Sequence, residues 1–183
     1  AKLSATGTKD ATTFLRGDNT FAEAGGGLVQ TKFYSLTTTL TATNTSFADL
    51  GSFSINITPT SASNKILLSV FFGSCNGGTS GGNNNTTGFR YTRDGTPIGI
   101  GTPSGNKIGA SFRAERPADV SHGSTVAHSF IDSPNTTSQI TYKIQNMNET
   151  GTLYINRAPA QSDGSQIYNA NYSSIFIAQE ITP

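Results

Sequence analysis

Apolar and polar residues alternate along most of this chain. In Ser-Phe-Ser-Ile-Asn-Ile-Thr, Phe53, Ile55 and Ile57 fall on one side and Ser52, Ser54, Asn56 and Thr58 on the other. That is the period of a strand with one buried face. It returns in Phe89, Tyr91 and Arg93, in Ile108, Ala110 and Phe112, in Val126, His128 and Phe130, and in Ile140, Tyr142 and Ile144. The stretches GTLYINR and YSSIFIAQEI close the series. One segment differs: from Ile66 to Phe72 every residue is apolar except Ser69, a run that suits a strand covered on both faces. With a first strand in FYSLTTTL, the region from Leu28 to Pro183 predicts eight or nine strands, divided by Thr-Pro, Asp-Gly, Ser-Pro-Asn and Thr-Gly turns. Strands at this density predict an all-β fold, a jelly-roll-like antiparallel β-sandwich. Two long Gly-, Asn- and Thr-rich loops, 73–88 and 99–107, read as functional or mobile.

Residues 1–24 have another texture. They are small and polar, with isolated apolar residues at Leu3, Phe14, Leu15 and Phe21, too few to offset alone the entropy of ordering the segment. Gly25-Gly26-Gly27 follows as a flexible joint. The predicted organisation is a stalk or attachment segment over 1–27 and a β-sandwich domain over 28–183.

Composition narrows the partners. Only 34% of residues are hydrophobic and 13% charged, with a net charge of +1. So weak a field predicts no nucleic-acid partner, and no apolar run is long enough for membrane insertion. No basic stretch followed by an apolar one opens the sequence, so no signal peptide is expected. The single cysteine, Cys75, excludes an intrachain disulfide and a cysteine-rich zinc site. It reads as a free thiol in a glycine-rich loop, in a protein made in a reducing cytoplasm.

Leu3-Ser-Ala-Thr-Gly-Thr, with Thr12-Thr13-Phe14-Leu15-Arg16-Gly17-Asp18 and Thr20-Phe21-Ala22, resembles a recurrent element of bacteriophage tail-fibre proteins that precedes a distal domain. Asn19 stands where that element has Gly, and Phe21 where it has Trp. Ile57-Thr-Pro-Thr-Ser-Ala-Ser-Asn-Lys-Ile-Leu-Leu is similar to a signature of β-rich fibre head domains. Asn156-Arg157, Ser173-Ser174-Ile175 and Gln179-Glu180-Ile181 fit the same group. The resemblance implies a virion protein assembled in the bacterial host cytoplasm, commonly a homotrimer. Its N-terminal segment would attach to other virion proteins, and its head would bind a host-surface glycan or protein. A capsid decoration protein or head fibre is the alternative. In either setting Arg16-Gly17-Asp18 reads as a turn between the anchors Phe14-Leu15 and Phe21, rather than as an integrin ligand. Leu3, Phe14, Leu15 and Phe21 would be buried around a three-fold axis; a tail that orders only on a partner is the other reading.

Catalytic chemistry finds little footing. Glycosidases hold two carboxylates roughly 5–9 Å apart, whereas here Asp94 precedes Gly95, Asp132 precedes Ser-Pro, and nothing in the sequence pairs them. No phosphate loop, nucleophile elbow or zinc-protease motif occurs. The expectation is a non-enzymatic protein with no cofactor and no metal. His128 reads as a satisfied, partly buried residue, with a ring of three copies around a symmetry axis as the less favoured reading. Sugar recognition needs flat aromatic faces beside fixed amides and charges. The receptor-binding candidates are Arg157, Tyr168, Asn169, Asn171 and Tyr172 in one late loop and Asn83, Asn84 and Asn85 in another; an ordinary polar connection is the competing reading.

Overall fold

The structure, a computed structural model, describes residues 6–8, 13–23, 27–77, 86–115 and 121–183. Leu3, Asn83, Asn84 and Asn85 lie outside the described residues.

A two-stranded antiparallel hairpin, β1 (Thr13–Leu15) and β2 (Phe21–Glu23), comes first. Its tip is Arg16-Gly17-Asp18-Asn19, closed by Arg16 N donating to the Thr20 carbonyl (2.8 Å) and Asn19 N donating to that of Arg16 (3.0 Å). Asp18 Oδ1 accepts from the Thr20 hydroxyl (2.6 Å) and amide (3.1 Å). The tripeptide is therefore a turn whose carboxylate is engaged locally. Asn19 sits at φ +65°, a left-handed conformation that Asn tolerates better than most residues. Phe14 and Leu15 remain exposed on the hairpin.

The period-two segments become two antiparallel sheets. In chain order they are β3 (Leu28–Leu36), β4 (Leu40–Ala42), β5 (Ala48–Ile57), β6 (Lys65–Asn76), β7 (Thr86–Arg93), β8 (Thr96–Ile98), β9 (Phe112–Glu115), β10 (Ser124–Asp132), β11 (Ile140–Asn148), β12 (Leu153–Ile155) and β13 (Ser174–Ile181). One sheet runs β3-β13-β6, with β10 on the other side of β6 and β12-β4 extending it; the second runs β5-β11-β7, with β8 and β9 on successive stretches of β7. Numbered along the chain, the eight principal strands (β3, β5, β6, β7, β9, β10, β11, β13) give sheets in the order 1-8-3-6 and 2-7-4-5. This is a jelly-roll sandwich.

Its core is the set of inward positions that the alternation marks. Phe53, Ile55 and Ile57 of β5 and Tyr91, Tyr142 and Ile144 of the same sheet face Leu68, Val70, Phe72 and Phe176 of the other, all buried. A chain of rings crosses the core: Tyr34–Phe53 at 5.2 Å, Phe53–Phe72 at 5.4 Å and Phe72–Phe89 at 5.3 Å, with Phe112 stacked on Phe89 at 4.9 Å. Edge and offset contacts of this kind add about 0.5–1.5 kcal/mol each beyond area burial. The Asp94-Gly95 turn between β7 and β8 has φ of 49° and 83°, the doubly positive conformation of a two-residue hairpin.

Three expectations are refined. The first strand starts at Leu28 and breaks after Leu36, so FYSLTTTL is divided between β3 and β4. Ile108 is exposed, and only Phe112–Glu115 of its segment is strand. Cys75 is not in a loop. β6 continues to Asn76, flanked there by β10 and β12, which pair Ser124 and Ile155 with Cys75. The thiol belongs to the buried core cluster, and burial pushes its pKa up. The Gly and Asn around it conceal a strand end because closely packed neighbours, rather than side-chain pattern, define it. At Gly73 a Cβ would collide with the Ser173 carbonyl.

Candidate functional site

The loop between β12 and β13 carries five of the candidates, and its shape follows from two asparagines. Asn156, at φ +63°, opens it. Its Nδ2 donates to the Leu36 and Thr38 carbonyls (both 2.9 Å), and its Oδ1 accepts from Ser174 Oγ (2.5 Å) at the loop's far end. Backbone bonds from Asn156 N to the Ser74 carbonyl (2.8 Å) and from Tyr172 N to the Asn156 carbonyl (3.0 Å) complete the base. Inside the loop, Ile167–Asn169 forms one 3₁₀ turn. Asn169 is buried, with Oδ1 accepting from Ser162 N (3.0 Å) and Nδ2 donating to Gln166 Oε1 (3.1 Å); Gln161 Nε2 donates to its carbonyl.

This architecture separates the candidates. Arg157, Asn169 and Asn171 border a polar groove of about 350 Å³ together with Thr39, Gln161 and Asp163. Arg157 folds back, Nε donating to the Ala158 carbonyl (3.1 Å), with its guanidinium 5.4 Å from the Tyr154 ring centre. Asn171 Oδ1 accepts from Gln161 Nε2 (3.0 Å). Asn169 therefore supports the groove from within, its side chain occupied by the loop itself.

Tyr168 and Tyr172 line a second groove of about 370 Å³ on the other side of the loop, with Ile167, Ser74 of β6, His122 before β10 and Thr125 on β10. The rings are 47% and 36% exposed. Tyr172 Oη donates to the Ile167 carbonyl (3.2 Å), which sets the ring against the turn. Both volumes lie at the lower end of those of small-molecule clefts, about 300–1,000 Å³. An aromatic wall facing hydroxyl, imidazole and backbone groups is the mixed apolar and polar lining that a sugar ring requires. Sequence reasoning found the tyrosines but not Ser74, Thr125 or His122 as their neighbours. Those three come from strands and turns distant in the chain, and no local pattern marks them.

Three further chemistry-bearing groups, Asp132, Glu180 and His128, are committed to the fold. Asp132, buried on β10, receives Arg93 Nη1 (2.8 and 3.0 Å) and the Tyr142 hydroxyl (2.6 Å) from the opposite sheet. Burial, together with that carboxylate, pushes the Tyr142 pKa up. Glu180 accepts from Thr60, Asn64 and Gln30. His128 points into the sandwich, stacked on Phe112 at 4.9 Å with Nδ1 3.2 Å from the Tyr91 hydroxyl. An inward ring cannot line an outer symmetry axis, so the three-copy histidine arrangement is set aside. Among the described residues, no group of three His, Cys, Asp or Glu side chains is placed to hold a metal, and no helix is long and apolar enough to cross a membrane.

Burial lowers the His128 pKa from 6.5, and the groups facing it, Tyr91 and Phe112, carry no charge at neutral pH. The folded state then resists protonation that the unfolded chain accepts. Stability should be fully present above about pH 6.5 and decline as pH falls through the folded value. Urea unfolding at stepped pH should show this decline in the parent chain, and a flatter profile in His128→Gln.

No protein-family model matches the chain, and none of the curated proteins searched matches it.

Proposed function

We propose that the chain is a bacteriophage virion fibre protein, a homotrimer that adsorbs to the host through a surface glycan held in the groove beside Tyr168 and Tyr172. The observation that carries this reading is the pair of exposed tyrosine rings along a 370 Å³ groove that also presents His122 and Thr125. The fibre-like motifs at both ends and in the middle of the chain support it. The protein acts by binding, without catalysis, and among the described residues the buried carboxylates, Asp132 and Glu180, are committed to holding the fold. Residues 1–27 attach it to other virion proteins. Single sites of this size bind weakly, and several sites on one particle raise the avidity without new contacts.

Binding of the full chain to intact host cells and to an array of bacterial surface glycans tests the proposal. Tyr168→Ala and Tyr172→Ala should each reduce affinity about tenfold, equivalent to about 1.4 kcal/mol, with the unfolding midpoint unchanged. No binding to any cell or glycan, combined with tight binding to empty capsids, would overturn the reading in favour of a decoration protein.

A further inference from the structure

The two outer faces of the sandwich differ in chemistry. On the β5-β11-β7 sheet, Lys143 Nζ contacts Asp49 Oδ2 at 2.7 Å, Gln145 Nε2 donates to Asp49 Oδ1 (2.8 Å) and Arg90 Nε donates to Gln145 Oε1 (2.9 Å). That is an ordinary solvated surface. On the β3-β13-β6-β10 sheet, the register places Phe33 beside Ile177, Ile175 beside Phe71, and Leu67 beside Ile131. Residues paired across a ladder share a face, and these lie on the outward one, since Tyr34, Phe176 and Val70 take the inward positions. Phe33, Phe71 and Ile131 are 66%, 43% and 55% exposed. The one charge at the outward positions of these ladders is Lys65, at the rim, where Nζ donates to Ser133 Oγ (2.9 Å).

We propose that this face is a self-association surface, on which copies of this chain pack the same sheet against one another around a common symmetry axis. The inference does not rest on the glycan reading and adds where the subunits meet. Three observations favour another copy of this chain as the occupant. First, the face is nearly uncharged, so copies meet without like-charge repulsion, and it offers no charge pattern for a different partner to match. Second, its size fits. The eight residues of β13 make it about 27 Å long and four strands make it about 19 Å wide, which is roughly 500 Å² per copy and roughly 1,000 Å² for two, the area at which specific interfaces begin. Third, the continuous apolar run Ile66–Phe72 has the composition of a strand covered on both sides, yet this chain covers only one of them. Sheet extension through the edge is disfavoured, because Lys32 is exposed on edge strand β3. The contact is therefore through the sheet face, turned toward the axis, and not through the strand edge.

The test uses the full chain. Sedimentation at stepped concentrations should show an oligomer, and Phe33→Lys with Phe71→Lys should shift it to monomer without loss of the far-ultraviolet β signal. A thiol introduced by Ala127→Cys, on the same face, reports the contact independently, because the native Cys75 is buried and silent. Its labelling should slow about tenfold as concentration rises, as for a site free in a tenth of the molecules, and recover in the lysine background. A thiol labelled at one fast rate at every concentration overturns the proposal. So does a folded lysine variant that keeps both the parent mass and the protection.

Discussion

Replacing Asn156 with alanine is expected to lower the stability of the sandwich by about 4 kcal/mol. The residue joins three chain segments: its amide donates to the carbonyls of Leu36 and Thr38, and its oxygen accepts from Ser174. The alanine variant leaves the buried Leu36 carbonyl without its side-chain donor and the Ser174 hydroxyl without its acceptor, and each buried group left without its bond costs about 1–3 kcal/mol. A left-handed backbone at φ +63° adds roughly 1 kcal/mol for a residue with a plain Cβ. Asn156→Gly separates the contributions, since it removes the bonds and relieves the backbone. Urea unfolding should rank parent, then glycine, then alanine. The loop that carries Tyr168 and Tyr172 should become protease-sensitive in the same order. An alanine variant within about 1 kcal/mol of the parent would show that the loop base is held by something other than this side chain.

Glu180→Ala is expected to cost about 3 kcal/mol, and its effect should disappear in acid. The carboxylate is sealed from solvent, where it accepts from Thr60 N (2.7 Å), Thr60 Oγ1 (2.8 Å), Asn64 Nδ2 (2.6 Å) and Gln30 Nε2 (2.6 Å). Desolvation alone would raise its pKa, but the donors from Gln30, Asn64 and Thr60 outweigh it and lower the value from 4.5 to about 2. A depressed folded value means the stabilisation is complete above about pH 4.5 and is lost as pH falls through about 2. At about 1.4 kcal/mol per pKa unit, the linked stability is on the order of 3 kcal/mol. The parent should therefore lose stability steeply across that window, while Glu180→Ala, already destabilised, should change less. Parallel curves for the two proteins would refute the role of the ionised carboxylate.

These two residues also show what separate short sequence stretches do physically. Thr60 and Asn64 belong to the ITPTSASNKIL stretch, and Glu180 to the closing QEI; folding makes them one clasp across 116 positions of sequence. Asn156-Arg157 and Ser173-Ser174 likewise meet at the base of one loop. The motifs are legible as strings, but their pairing is not, because a hydrogen bond between distant segments leaves no local period.

The all-β class, the inward set of β5, β7 and β11, the Asp-Gly hairpin and the Arg-Gly-Asp turn are all legible in the order of the amino acids. Each of these depends on alternation or on backbone preferences within a few residues. That Cys75 lies within a strand, that Asn169 is buried while Tyr168 is not, that the late loop separates two grooves, and that one outer sheet face is apolar are all products of long-range packing. Those outcomes depend on which strands become neighbours. A strand's alternation says that one side is apolar, whereas its partners determine whether that side meets the core, the solvent or another molecule.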